Sequence, residues 1–304
     1  MKRAAIARAA IVLSLTCSLA SIANAQQASN SLPSRIAHTD PASYRHLEAV
    51  HDGAGSMDFA ALLGTEALST NFIFLHRGVI APHSGIGQHF HNYCEEMFVI
   101  LDGEAQFTID GRTSVLKGPA GAPNRQGHAH GIYNATSKPL QWLNINVGTS
   151  KNYDAFNLGD ARVGVPLDPI PQFISMRLDR SLLKPVQSMK GGTGTVQYRR
   201  VFEPSVFYTA WSYLDHLLLP KGSSVGPESL SEMSEVYYVV SGNGTVTVDS
   251  QTATIGAGDA IPIDLHQTKS FAAGADDLEL MIIGVARDMA AKTALQNAPR
   301  SARK

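Results

Sequence analysis

The sequence predicts an all-β protein built of two small jelly-roll barrels in tandem, and three observations carry that reading. Short segments punctuated by Gly and Pro run through the chain, the pattern of strands joined by tight turns. A strand–turn–strand unit occurs twice at a constant spacing. Apolar residues alternate within those units, as they do in strands with one buried face. With 304 residues, 44% of them hydrophobic, the chain has enough apolar material for two modest cores.

Residues 1–25 read as a secretory signal peptide. Lys2, Arg3 and Arg8 supply the positive start, and residues 9–20 form an apolar run too short to span a bilayer. Ala23, Asn24 and Ala25 then fit a small-x-small cleavage site, so a periplasmic or secreted protein is expected. Thr16 before Cys17 argues against lipidation. Cleavage would move the formal charge from −1 to about −4. That balance offers no basic face for nucleic acid, and no later apolar run is long enough for a membrane span. Cys94 alone would remain, which rules out an internal disulfide.

Residues 26–65 read as an N-terminal arm, with a helix expected near 44–50 and a turn at Asp52 and Gly53. The first barrel is assigned to residues 66–150 and the second to 196–287. The repeat sets these assignments: EMFVILDG (96–103) matches EVYYVVSG (235–242), and EAQFTID (104–110) matches NGTVTVD (243–249), at an offset of 139. Further strands are expected at 71–80, 140–147, 214–219 and 278–285. Between the barrels, residues 151–195 carry Pro166, Pro169, Pro171 and the GGTG run at 191–194, the composition of a linker packed across both. Residues 288–304 read as a solvated tail carrying Lys292, Arg300, Arg303 and Lys304.

The chemistry is concentrated in the first barrel. His89 and His91, two apart on a strand, share a face and enter one interior. A short loop brings Glu96 to the start of the next strand, and His130 follows downstream. Three imidazoles and a carboxylate suit one divalent metal ion of intermediate hardness, such as Fe, Mn, Zn or Ni. Glu95 would turn outward by alternation, His128 has no spacing rule that recruits it, and Cys94 reads as a small buried loop residue. Phe98, Phe107 and Trp142 are core residues or cavity lining.

These residues resemble the cupin superfamily, whose first motif is G-x5-H-x-H-x3-4-E-x6-G. His89, His91, Glu96 and Gly103 fit it, while His83 stands where the leading glycine is expected. Gly127, His130 and Asn134 fit the second motif, G-x5-P-x-G-x2-H-x3-N, with Arg125 in place of its proline. The resemblance implies two barrels and a metal held by His89, His91, Glu96 and His130. Glu96 would also serve as a proton acceptor. Arg125, in a loop expected at the barrel mouth, could anchor a substrate carboxylate or pair with a surface acid.

In the second copy, His89 corresponds to Glu228 and His91 to Leu230, which cannot bind metal. Glu235 and His266 read as the surviving counterparts, leaving a degenerate or weak site. The resemblance implies an enzyme acting on a small oxygen-rich substrate, with dioxygenase-type oxidation favoured. The alternatives are a Lewis-acid isomerase or lyase on sugars or uronates, and a non-enzymatic binding protein for sugars or organic acids. Barrels of this kind pair sheet to sheet, either within one chain or between two copies in a homodimer.

Overall fold

The computed structural model describes residues 31–298; the signal segment lies outside the described residues, as do Arg300, Arg303 and Lys304. Two sheets form each barrel. The larger sheet of the first barrel orders its strands Arg45–Glu48, Ser56–Leu63, Phe72–Ile80, Leu140–Gly148, Cys94–Ile100, Ala120–Asn124 and Met176–Arg177. Facing it are Phe156–Asp160, Ser84–Phe90, Ala129–Asn134, Glu104–Ile109 and Arg112–Lys117. In the second barrel, six strands run Lys184–Gln187, Thr195–Phe202, Trp211–Leu219, Leu278–Ala286, Met233–Ser241 and Ala260–Ile263. Its smaller sheet runs Ser224–Ser229, Thr268–Ala273, Asn243–Val248 and Gln251–Gly256.

The strand Cys94–Ile100 is buried at every position because both of its faces are covered. Phe98 and Ile100 point into the first barrel beside Phe107, Ile132 and Trp142. Met97 and Val99 point the other way, into a core shared with Trp211, Val236, Tyr238 and Ile283 of the second barrel. The two large sheets therefore pack against each other within the chain. Each such side chain contributes about 1.5–3 kcal/mol when fully buried.

Polar contacts reinforce this seam. Glu95, wholly buried, faces outward and accepts hydrogen bonds from Tyr208 N (2.8 Å), Thr209 N (2.8 Å) and Thr209 Oγ1 (2.6 Å). Arg77 Nε donates to Tyr238 Oη at 3.2 Å.

Three stretches depart from the sequence reading. Instead of a helix near 44–50 there is an edge strand, Arg45–Glu48, paired antiparallel with Ser56–Leu63, followed by the 3-10 turn Val50–Asp52. Cross-strand pairing overrides the local helical pattern here. Lys292 is no tail residue: it lies in the helix Met289–Asn297, is buried, and donates to Phe207 O (2.6 Å) and Thr209 O (2.5 Å). The stretch between the barrels contributes three short strands, one to each sheet of the first barrel and one to the second.

Candidate metal centre

His89 and His130 are cross-strand partners in the small sheet of the first barrel, and His91 follows His89 by two residues. Glu96 enters from the large sheet opposite. His130 Nε2 lies 3.1 Å from His89 Nε2 and 3.2 Å from His91 Nε2. The Glu96 oxygens stand 3.5–3.9 Å from these nitrogens. Donors about 2.1 Å from a shared cation and at right angles to one another sit about 3.0 Å apart, so the nitrogens fit a metal at their centre.

Their partners fix them in that pose. His89 Nδ1 faces Gly87 O (2.8 Å) and His91 Nδ1 faces Asp154 O (2.5 Å), which assigns the proton to Nδ1 and leaves Nε2 free for a metal. His130 stacks on Phe98, with ring centroids 4.3 Å apart. Asn144 Nδ2 donates to Glu96 Oε1 (2.7 Å) and Asn146 Nδ2 to Oε2 (2.8 Å).

Burial lowers the His91 and His130 pKa values and keeps these rings neutral. Burial alone would raise the Glu96 carboxyl, but His89, His91 and His130 outweigh it and hold it well below the usual carboxylate range. Neutral imidazoles around an ionised carboxylate are the protonation state a divalent metal requires.

A turn from the N-terminal segment covers the ligands. The His51 ring stacks on His89 at 3.9 Å, and its Nδ1 lies 2.7 Å from Asn157 Oδ1. Gly87 makes this approach feasible, since a Cβ there would lie 2.1 Å from His51 O. Tyr153 completes the cover, its ring centroid 5.6 Å from that of His91. At position 83, where a glycine is expected, His83 adopts φ +53°, the left-handed conformation that glycine favours.

Other sequence candidates fall elsewhere. His128 Nδ1 pairs with Asp110 at 2.6 Å on the rim. Cys94 is buried behind His91, 3.5 Å from its Nδ1, and burial pushes its thiol up to about 12. With His91 and Asp154 it forms a second group of converging donor atoms, which shares His91 with the first. Phe98, Phe107 and Trp142 are buried inside the first barrel. Arg125 lies on the Tyr208 ring, 4.8 Å from its centroid, and makes no hydrogen bond or ion pair with the four ligands.

The second barrel corrects one assignment. Val248 pairs with Lys269 as Ile109 pairs with His130, and Glu228 with Lys269 as His89 with His130. The offset of 139 therefore holds from His89 and Glu228 through to His130, and Lys269, not His266, stands in the place of His130. His266 occupies the turn equivalent to Gly127: each backbone N–H donates to the strand residue opposite, Leu230 or His91, and each φ is positive. Lys269 is buried, its Nζ 2.8 Å from Glu235 and 3.4 Å from Glu228. An ammonium thus sits among the residues equivalent to metal ligands. Among the described residues, groups able to hold a metal occur in the first barrel alone.

Asn144 and Asn146 are not marked out by local pattern beyond two amides set two apart in a largely apolar strand. Their register equivalents in the second barrel are Ile282 and Gly284. At Gly284 a Cβ would lie 2.2 Å from the Tyr213 ring, and Tyr213 Oη takes over as a donor to Glu235 at 2.7 Å.

The Cupin domain family model matches residues 76–146 and 216–284. With its two barrels and one His-His-Glu-His cluster, the chain is a two-barrel member of the cupin superfamily. It is 27% identical over 99 residues to the oxalate-binding protein of Thermotoga maritima, covering 32% of this chain and 82% of the relative. Its fold is similar to that of Lactobacillus farciminis oxalate decarboxylase in a formate complex, with a TM-score of 0.59 at 13% identity over 88% of this chain and 91% of that one. Coconut cocosin, an allergen, matches with a TM-score of 0.62 at 10% identity over 83% and 84%. Proteins of such different description on one fold show that the site, not the fold, must select the activity.

Proposed function

We propose that the first barrel is the reaction centre of an exported metal-dependent enzyme acting on a small oxygen-rich carboxylic acid, with dioxygenase-type oxidation as its chemistry. The convergence of three imidazole Nε2 atoms and Glu96 in the buried interior of the first barrel carries this reading. A divalent ion bound there supplies Lewis-acid polarisation of substrate oxygens and, where redox active, a path for electrons to O2.

The chain's own residues do the rest. Asn144 and Asn146 hold both oxygens of Glu96, so that carboxylate is aimed at the three imidazoles and kept ionised. His51 and Tyr153 cover the ligands. Arg125 has no carboxylate partner among the described residues, and it sits on the turn leading into the His130 strand. Its guanidinium is thereby available to a substrate carboxylate. Export rests on the pattern of residues 1–25.

Redox-neutral cleavage or capture of a dicarboxylate is the second reading, favoured by the similarity to an oxalate-binding protein. The deciding experiment is to purify the chain from Gln26 onward without oxygen, measure its metal, and follow O2 uptake with small hydroxy and keto acids. About one equivalent of metal, lost in His91→Ala together with O2 uptake, is expected. Full activity in metal-free protein would overturn the proposal, and oxalate consumed without O2 uptake would transfer it to the second reading.

A further inference from the structure

The second barrel contains a half-open cavity of about 160 Å³. Roughly 150 Å³ accommodates one benzene ring. Leu217, Val225, Leu230, Met233, Phe271 and Ile282 form its apolar wall. Lys269 lines it too, with Glu228 and Glu235 beside it and the pair Arg200–Asp215 close by.

Hydrogen-bond accounting tells what such a cavity would accept. Glu235 takes Tyr213 Oη on Oε1, with Tyr237 Oη and Lys269 Nζ on Oε2, at 2.7–2.8 Å. Asp215 takes Arg200 Nε on Oδ1, and Tyr198 Oη with Arg200 Nη2 on Oδ2. Glu228 is held by Lys190 at 2.9 Å and by Lys269 at 3.4 Å. Every carboxylate in the cluster is thus engaged. The unspent donors include one of the three ammonium N–H bonds of the buried Lys269 and Arg200 Nη1, which is buried without a partner; Lys190, half-exposed at the edge, keeps two more. Three cations, Lys190, Arg200 and Lys269, balance the three carboxylates, so an entering anion meets no net negative wall. What the cavity lacks is an acceptor.

We propose that the second barrel is a metal-independent binding site for a small monocarboxylate with about one ring's worth of apolar body. The carboxylate would accept from the Lys269 ammonium, a charge-assisted bond, and the ring would lie against Phe271 and Leu230. Lys269 would then play the electrostatic part that a metal plays in the first barrel. This site is separate from the metal centre and goes beyond the function proposed for it.

Benzoate is the probe, titrated calorimetrically into the full chain. One benzoate per chain is expected, with a dissociation constant on the order of millimolar or below. His91→Ala should bind it equally well, because the metal centre is not involved. Benzamide, the neutral isostere, should bind at least about tenfold more weakly. Lys269→Met should lose the site, and Leu230→Phe should lose it by filling the cavity with the ion cluster intact. The second variant keeps the test valid if the first unfolds, with a cooperative melt certifying each. Absence of binding at several millimolar, or equal binding of benzamide, would overturn the proposal. So would binding that His91→Ala abolishes and Leu230→Phe leaves untouched.

Discussion

Glu95 and Glu96 are adjacent carboxylates with separable roles, and replacing each by alanine should divide stability from metal binding. Glu95 takes three hydrogen bonds from the 208–209 turn of the second barrel. Glu95→Ala leaves two backbone N–H groups and a hydroxyl without their acceptor, at about 1–3 kcal/mol for each unsatisfied buried donor. Allowing the hydroxyl to rotate and water to enter, the loss should be about 3–5 kcal/mol, a large share of the 5–15 kcal/mol typical of a folded domain. Lys292, which donates to carbonyls of the same turn, would also lose a nearby counter-charge. Urea unfolding followed by circular dichroism, with metal content measured in parallel, reads both quantities. Glu95→Ala should shift the urea midpoint and keep its metal, whereas Glu96→Ala should lose the metal. The reasoning fails if Glu95→Ala costs less than about 1 kcal/mol, or if it loses metal while Glu96→Ala retains it.

Asn146→Leu should weaken metal binding about 10- to 100-fold without abolishing it, measured by competition with a chelator, because Glu96 would lose a donor that orients it. Lys269→Met should cost about 3–5 kcal/mol in urea unfolding by stranding the buried Glu235, and the double change with Glu235→Gln should recover part of it. Burial would raise the Glu279 carboxyl, but His216, Arg180 and Ser241 hold it at about 2. Since that pKa is depressed, its contribution is fully present above the unfolded value near 4.5 and fades as pH falls towards 2. Glu279→Gln should therefore show a smaller loss of stability between pH 5 and pH 2 than the unmodified chain; an identical acid limb would refute the assignment. Arg125→Ala should raise KM for a carboxylate substrate more than it lowers kcat, as steady-state kinetics would show.

The four metal ligands were legible because strand alternation and a short loop bring them together with little help from the rest of the chain. His89 and His91 share a face by period alone, and Glu96 lies one loop away. Asn144 and Asn146 depend on which residue of a distant strand lies opposite Glu96, and a single sequence does not show that register. Lys269 is hidden by its residue type: an ammonium stands at the offset of 139 from His130, while the nearby imidazole of His266 is three residues off that register. His51 reaches the site only through a turn of left-handed residues, at Ala49, His51 and Asp52, that local propensity does not suggest. Glu95 was read as outward-facing, and its partner turn, more than a hundred residues away, became visible only in the folded chain.

The N-terminal segment bears on how the chain can be divided. Leu32 and Ile36 are buried in the core of the second barrel, and Ala37 bridges to Ala260. Eight residues later the same segment enters the first barrel as Arg45–Glu48. The halves are therefore laced rather than strung: the piece made first completes the unit made last. Cutting the chain between the barrels would strip the second of two core side chains and expose an apolar slot. Such a fragment should be soluble only when a peptide spanning 31–40 is supplied in trans. Two barrels that repeat one sequence pattern thus form a molecule whose halves should not become independent by scission at the connecting stretch.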